Sequence, residues 1–185
     1  MPSRPLQIIV MGVSGCGKST VSHRIAQALG LEMTDGDDLH LPGSVVKMRA
    51  GIALEDLDRW PWLDRIGAYL AEGRDAGRVV ACSALKRSYR DRIRRLAVQV
   101  RFVFLDGTPD LIRERLAKRT DHYMPLELLD SQFSTLERPQ DDERDVITLP
   151  IERSVDQLVD KAIAALRSPH FNPASTHSLS RSTLP

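Results

Sequence analysis

The stretch Leu6-Gln-Ile-Ile-Val-Met-Gly-Val-Ser-Gly-Cys-Gly-Lys-Ser19 decides the fold of this 185-residue chain. Residues 6–11 form a short apolar run, rich in β-branched side chains, that leads directly into glycines, a pattern typical of a buried parallel strand. Residues 18–29 carry apolar side chains at helical spacing, and Gly30 follows as a helix-ending residue. The stretch therefore predicts a strand, a glycine-rich loop and a helix.

The loop between this strand and this helix matches the pattern G-x-x-x-x-G-K-[ST]. The backbone N–H groups of such a loop face a phosphate, and the helix N-terminus adds positive potential. Lys18 would reach the β and γ phosphates, and Ser19 would offer its hydroxyl to Mg²⁺. The sequence therefore predicts a bound ATP or GTP. The predicted nucleotide-binding residues are Gly12, Ser14, Gly15, Cys16, Gly17, Lys18, Ser19 and Thr20.

Beyond the loop, short apolar runs alternate with helical patterns. Strands are predicted at residues 31–34, 78–82, 98–105 and 145–149, and helices at 54–73, 89–96, 110–119, 126–136 and 154–166. This alternation indicates an α/β fold, with a five-stranded, mostly parallel sheet covered by helices on both faces. We expect a single domain over residues 1–167 and a disordered tail, rich in Ser, Thr and Pro, over residues 168–185.

Composition excludes several classes of protein. The chain has 26 Lys plus Arg against 25 Asp plus Glu, so its net charge of +1 gives no support for a nucleic-acid or membrane partner. No apolar run approaches the length of about 20 residues that a membrane span needs, and no secretory signal is recognised at the N-terminus. Two cysteines are too few for a disulfide framework, so we expect a cytoplasmic protein.

Carboxylates follow the second predicted strand, as Asp35-Gly-Asp37. Because strand ends of a parallel sheet meet at one edge, these side chains should face the phosphate loop. Phosphoryl transfer needs positioning and charge neutralisation, so Asp35 is expected near Mg²⁺ and Asp37 is expected as the base that accepts a proton from an alcohol. His40, three residues later, is a candidate substrate contact.

Cations follow from three further segments. Lys86 and Arg90 come after the third strand, and together with Arg59 they would suit a small anionic substrate, because a guanidinium pairs well with a carboxylate. A basic helix around Arg113 ends at Arg119. We expect a lid over residues 119–127, with Arg119 closing onto the triphosphate and Arg113 on the surface.

Several strings beyond the phosphate loop resemble the gluconate kinases, which are similar in fold to shikimate kinase and the nucleoside monophosphate kinases. The resemblance covers residues 6 to 166 and rests on motifs far more specific than the loop alone. These motifs are Asp35-Gly-Asp-Asp-Leu-His40, Lys47-Met48, Asp56-Leu-Asp-Arg-Trp-Pro-Trp-Leu63, Cys82-Ser-Ala-Leu-Lys-Arg-Ser-Tyr-Arg-Asp91, His122-Tyr-Met-Pro125 and Leu129-Asp-Ser-Gln-Phe133 with Leu136-Glu137. Ser44 and Ala53 depart from the pattern, which usually has Asn and Pro there.

The resemblance implies transfer of the ATP γ phosphate, with Mg²⁺, to the C6 hydroxyl of D-gluconate, giving 6-phosphogluconate and ADP. It implies that Lys18, Asp37 and Arg119 are catalytic and that Ser19 and Asp35 hold the metal. The implied sugar-acid contacts are Asp37, His40, Arg59, Lys86, Arg90 and Gln132. A homodimer is also implied.

Other functions remain open on the residues alone. A small-molecule kinase acting on shikimate or a nucleotide would share the phosphate loop, although a nucleotide acceptor would favour an aromatic or amide-lined base site. A nucleotide-responsive module without kinase activity is a second alternative, but the Asn-Lys-x-Asp string of a GTPase is missing from the sequence. The near-neutral charge argues against a nucleic-acid kinase.

Overall fold

A five-stranded sheet forms the centre of the computed structural model, which describes residues 5–118 and 126–168. The strands are β1 (Gln7–Met11), β2 (Glu32–Asp35), β3 (Arg78–Ala81), β4 (Val100–Asp106) and β5 (Val146–Pro150). Their spatial order is β2-β3-β1-β4-β5, and every neighbouring pair is parallel. All five carboxyl ends therefore lie along one edge, with β1 in the middle.

Helices connect the strands and cover both faces of the sheet. Within the described ranges they are α1 (Lys18–Leu29), α2 (Pro42–Arg49), α3 (Asp56–Glu72), α4 (Arg87–Leu96), α5 (Pro109–Ala117), α6 (Leu126–Thr135) and α7 (Val155–Arg167). A 3₁₀ turn, Gly36–Leu39, follows β2. The predicted three-layer α/β/α fold with a parallel sheet is confirmed.

Alternate side chains of the strands enter two separate cores. Ile8 and Val10 of β1 pack with the apolar faces of α1 and α7, whereas Ile9 and Met11 pack with α3 and α4. All four side chains are at most 1% exposed. Fully burying such a side chain contributes about 1.5–3 kcal/mol, so this alternation locks the central strand in register and places its carboxyl end, where the phosphate loop begins.

Two elements were not predicted from the sequence, namely the 3₁₀ turn and α2. The only described residue of α2 that is buried is Ser44, so this helix has no apolar stripe for a periodicity to detect. Pro61 lies inside α3, and the carbonyl of Leu57 that loses its partner belongs to a residue that is 78% exposed. Water can therefore satisfy that carbonyl.

Two predictions fall on parts of the chain outside the described residues. Arg119 and nearly all of the expected lid at 119–127 belong there, and so does the tail beyond residue 168. Of the helices that the structure describes, none is both long enough and apolar enough for a membrane crossing.

Candidate active site

The phosphate loop, residues 12–19, joins β1 to α1. Gly12 has φ of 142°, and a Cβ there would lie 2.8 Å from the carbonyl oxygen of Leu105, so only glycine fits between β1 and β4 at this point. The Lys18 ammonium donates to the carbonyl of Val13 at 3.1 Å. The loop is therefore internally hydrogen-bonded, with the lysine held over it.

A cavity of about 290 Å³ opens on the outer side of this loop. Its lining residues are Gly15, Cys16, Gly17, Thr20, Val21, Arg115, Lys118, Arg153, Val155 and Leu158. The cavity thus joins the start of α1 to three cations from α5 and from the segment before α7. Burial raises the pKa of the Cys16 thiol, which keeps this side chain protonated and inert. The predicted nucleotide-binding residues Gly15 to Gly17 and Thr20 share this cavity.

The acidic turn after β2 holds the predicted base. Asp35 accepts a hydrogen bond from the N–H of Asp37 at 3.1 Å, so it caps the 3₁₀ turn and fixes the backbone that carries Asp37. Loss of surrounding water raises the pKa of Asp37, the charge of Asp35 adds to the rise, and Lys18 opposes it. Solvent damps the effect, because 82% of the Asp37 side chain is exposed. An exposed carboxylate of raised pKa, within the electrostatic reach of Lys18, can act as a base.

His40 lies beneath the acidic turn and is not open to a substrate. Its side chain is 3% exposed and stacks on Trp62 with ring centroids 4.2 Å apart. The nearest oxygen of Asp37 is 3.8 Å from its Nε2, and the indole of Trp62 donates to the carbonyl of Gly36 at 2.7 Å. Burial, with Arg59 second, lowers the pKa of His40 to about 4, so the ring is neutral. The structure therefore assigns His40 to packing under the turn, which corrects the predicted sugar-acid contact.

Arg59 and Lys86 lie near one another but differ in their partners. The Lys86 ammonium donates to both oxygens of Asp56, at 2.8 and 2.9 Å, and Tyr89 donates its hydroxyl to the same carboxylate. Among the described side chains, Arg59 has no carboxylate within ion-pair distance, and its guanidinium lies 5.9 Å from the centre of the Tyr89 ring. Its positive charge also acts on Asp37. Of these two cations, Arg59 is thus the one that is available to pair with a substrate anion.

Arg90 does not reach the site. Its side chain is 1% exposed and makes a two-point ion pair with Glu143, at 2.6 and 2.7 Å. The remaining contacts go to the carbonyls of Ala84 and Leu85. Since a guanidinium has five N–H donors and four are used here, the predicted sugar-acid contact for Arg90 is wrong.

Gln132 of α6 contacts the phosphate loop. Its amide oxygen accepts from the N–H of Ser14 at 2.7 Å, and its amide nitrogen donates to the Ser14 hydroxyl at 3.0 Å. Both ends of the amide are engaged, so the structure brings Gln132 to the nucleotide side. Arg113 lies on the surface, as predicted, paired with Asp110 and Asp130.

The sequence patterns did not single out three residues as part of the site. Asp56 and Tyr89 form the polar group around Lys86, and Arg115 lines the cavity beside the loop. Asp56 and Tyr89 both lie inside the motifs quoted above, so the sequence marked the segments that carry them. It could not show that the two side chains contact each other, because 33 residues separate them.

Comparison with known proteins identifies the family of this chain. A family model described as an AAA domain matches residues 8–139. The gluconokinase of Gluconobacter oxydans (strain 621H) is 43% identical over 165 residues, covering 88% of this chain and 92% of that protein. This chain belongs to the gluconokinase family. The thermosensitive gluconokinase of Escherichia coli (strain K12) is 40% identical over 164 residues, covering 86% of this chain and 88% of that protein.

A solved structure extends this gluconokinase-family likeness to three dimensions. The crystal structure of a gluconokinase from Sinorhizobium meliloti 1021 aligns with a TM-score of 0.80 and 46% identity, covering 88% of this chain and 91% of that chain. The protein is therefore an enzyme of the P-loop kinase class, and the resemblance inferred from the motifs is confirmed.

The oxygen groups beside the phosphate loop fit the Mg²⁺ that such kinases use. Nowhere in the described residues do three or more His, Cys, Asp or Glu side chains group as a metal site. Mg²⁺ in nucleotide sites takes one or two protein oxygens and completes its shell with water and phosphate oxygens. The Ser19 hydroxyl and the second oxygen of Asp35, which the cap leaves free, are of that kind.

Proposed function

We propose that this protein is a gluconokinase, which transfers the γ phosphoryl group of Mg-ATP to the C6 hydroxyl of D-gluconate. The observation that carries the proposal is that the exposed carboxylate of Asp37 lies within the electrostatic reach of both the phosphate-loop lysine, Lys18, and the available cation Arg59. Beside the phosphate-binding groups, phosphorylation of a sugar-acid alcohol uses a base for the hydroxyl proton and a cation for the substrate carboxylate. The gluconokinase names of the relatives support the same substrate.

In the proposed reaction, Asp37 accepts the proton of the C6 hydroxyl as its oxygen attacks the γ phosphorus. The new O–P bond forms while the bond from the γ phosphorus to the β–γ bridging oxygen breaks, and ADP leaves with that oxygen. Lys18 and the loop N–H groups would hold the phosphates, and Arg119 would add a cation. Mg²⁺, held through Ser19 and Asp35, would neutralise charge on the phosphate oxygens.

The sugar acid would lie over the acidic turn, with its carboxylate toward Arg59. Lys86, whose side chain is 30% exposed while it pairs with Asp56, would present its ammonium at the edge of the site. Gln132 would support the phosphate loop through Ser14. The cavity lined by Arg115 would receive the rest of the nucleotide.

The test is ADP release from Mg-ATP with D-gluconate, compared with shikimate, glycerate, a nucleoside monophosphate and no acceptor. We expect release that depends on gluconate, and ³¹P NMR of the product should show a phosphomonoester coupled to the two C6 protons. Release with another acceptor but not with gluconate would overturn the substrate and leave the kinase. ATP binding without release for any acceptor would favour a nucleotide-responsive module. Sedimentation velocity would test the expected homodimer.

A further inference from the structure

The loop between β3 and α4, residues 82–86, connects the two halves of the site. At its start, the carbonyl of Ser83 accepts from the N–H of Gly12, the first glycine of the phosphate loop, at 3.3 Å. At its end, Lys86 pairs with Asp56 of α3. The conformation of this loop therefore sets where Lys86 lies relative to the phosphate loop and whether Lys86 reaches Asp56.

The backbone of this loop is in an unfavourable conformation. Ala84 has φ of +42°, and it is the one residue other than glycine with positive φ in the described ranges. A residue with a Cβ is strained in the left-handed region. Ala84 is 2% exposed, so water does not stabilise its backbone. Such a conformation persists only where the surrounding structure holds it.

Two groups hold it: the N–H of Glu137 donates to the carbonyl of Leu85 at 2.9 Å, and the side chain of Arg90 binds the carbonyls of both Ala84 and Leu85. One terminal nitrogen of Arg90 donates to the carbonyls of both Ala84 and Leu85, each at 3.2 Å. The other two nitrogens bind Glu143, and the side chains of Arg90 and Glu143 are each 1% exposed. Arg94 also donates to Glu143, and the ion pairs with Arg90 and Arg94 lower the pKa of Glu143 to about 2 against the effect of burial. The Arg90–Glu143 pair therefore stays charged.

We propose that the buried Arg90–Glu143 pair is a positioning device for sugar-acid binding. It holds the 82–86 loop in the conformation that sets Lys86 and Asp56 against the phosphate loop, and it touches neither substrate. This role rests on the proposed gluconokinase function, in which Lys86 and Asp56 border the sugar acid. A buried ion pair can often be replaced by apolar side chains of similar volume without loss of stability. If the pair only stabilised the fold, such a replacement would therefore leave gluconate binding unchanged.

The experiment compares the wild-type protein with the double variant Arg90→Met/Glu143→Leu and the single variant Glu143→Gln. The matched control is Arg87→Gln/Asp142→Asn, which removes a two-point ion pair between the same segments. The Arg87–Asp142 pair is solvent-exposed, and its side chains make no contact with the carbonyls of residues 84 and 85. Each protein is assayed for melting temperature, for KM of gluconate and of ATP, and for amide hydrogen exchange of the peptide spanning residues 82–86.

We expect the double variant to melt a few degrees below the wild-type temperature, because the buried carbonyl of Ala84 loses its donor, while its KM for gluconate rises about tenfold and its KM for ATP changes by less than about threefold. Amides of residues 83–86 should exchange about tenfold faster in it, and the control should match wild type. The Glu143→Gln variant keeps the carbonyl donor and weakens only the anchor of Arg90, so it must show the gluconate-selective rise in KM without the loss of a buried hydrogen bond.

The proposal would be overturned if the double variant had the same KM for gluconate and the same amide exchange rates as the wild-type protein. Equal rises in KM for gluconate and ATP would overturn it too, because they indicate general loosening. A wild-type protein that phosphorylates no gluconate would refute the proposed function instead. The amide exchange of residues 83–86 in the double variant and the wild type would then show by itself whether the Arg90–Glu143 pair holds the 82–86 loop.

Discussion

Replacing Gly36 with alanine should uncouple catalysis from nucleotide binding. Gly36 lies between Asp35 and Asp37, where β2 passes into the 3₁₀ turn. A Cβ at this position would lie 2.6 Å from the carbonyl oxygen of Ala81, and ordinary contact begins at 3.4 Å. Ala81 is paired with Asp35 in the sheet, so its carbonyl cannot swing away. The turn must therefore move by about 0.8 Å, and Asp37 moves with it.

The size of the effect follows from this displacement. Overpacking of this kind costs about 2 kcal/mol, which corresponds to a fall in melting temperature of about 4–8 °C for a domain of this size. A misplacement near 1 Å can cost on the order of 100-fold in rate, so kcat should fall about 10- to 100-fold. ATP affinity should be unchanged, because the phosphate loop takes no part in the movement.

The assay is coupled ADP release with gluconate, together with calorimetric ATP binding and thermal unfolding. Gly43→Ala is the matched control, because a Cβ there meets no heavy atom within 4 Å and the residue lies in α2. This control should retain its activity, and its melting temperature should stay the same or rise slightly, because alanine favours a helix over glycine. Unchanged kcat in Gly36→Ala with a lowered melting temperature would refute the idea that the turn positions the base, and an unchanged melting temperature would refute the packing argument.

Three further predictions concern single side chains. Asp37→Asn should lower kcat by about 10²–10⁴-fold with ATP binding retained, and equal kcat in variant and wild type would remove Asp37 from the base role. The acidic limb of the wild-type kcat/KM profile should lie above the ordinary pKa of 3.8, because the carboxylate must lose its proton to act. Arg59→Ala should raise the KM for gluconate about 10-fold or more, while Arg65→Ala, an exposed residue on the same helix, should not; equal effects of the two would contradict a carboxylate contact. His40 has a folded-state pKa of about 4 against an ordinary 6.5, so the unfolded state binds its proton first and the free energy of unfolding should decline as pH falls from 6.5 to 4. In chemical denaturation, a His40→Phe variant should lose this part of the pH dependence, and an identical slope would contradict it.

The sequence by itself determined the features that depend on neighbours along the chain. The phosphate loop, the strand before it and the helix after it lie within 24 residues, and every residue of the loop motif acts through its own backbone or side chain. The acidic residues after β2 were also found from local sequence, although the 3₁₀ turn that Asp35 caps was not predicted. The apolar runs predicted the parallel sheet, since β1, β3 and β4 are buried on both faces and their sequences are therefore almost continuously apolar.

Only the tertiary structure decided which cations are free to bind substrate. Arg59, Lys86 and Arg90 are equivalent as charges in a sequence, but Lys86 pairs with a carboxylate 30 positions away and Arg90 with one 53 positions away. The same holds for Gln132, whose partner in the phosphate loop is 118 residues distant. An ion pair between distant segments leaves no periodic or local signal, because it depends on how the strands order themselves in the sheet. The role of a charged side chain is therefore settled by the partner that the fold brings to it.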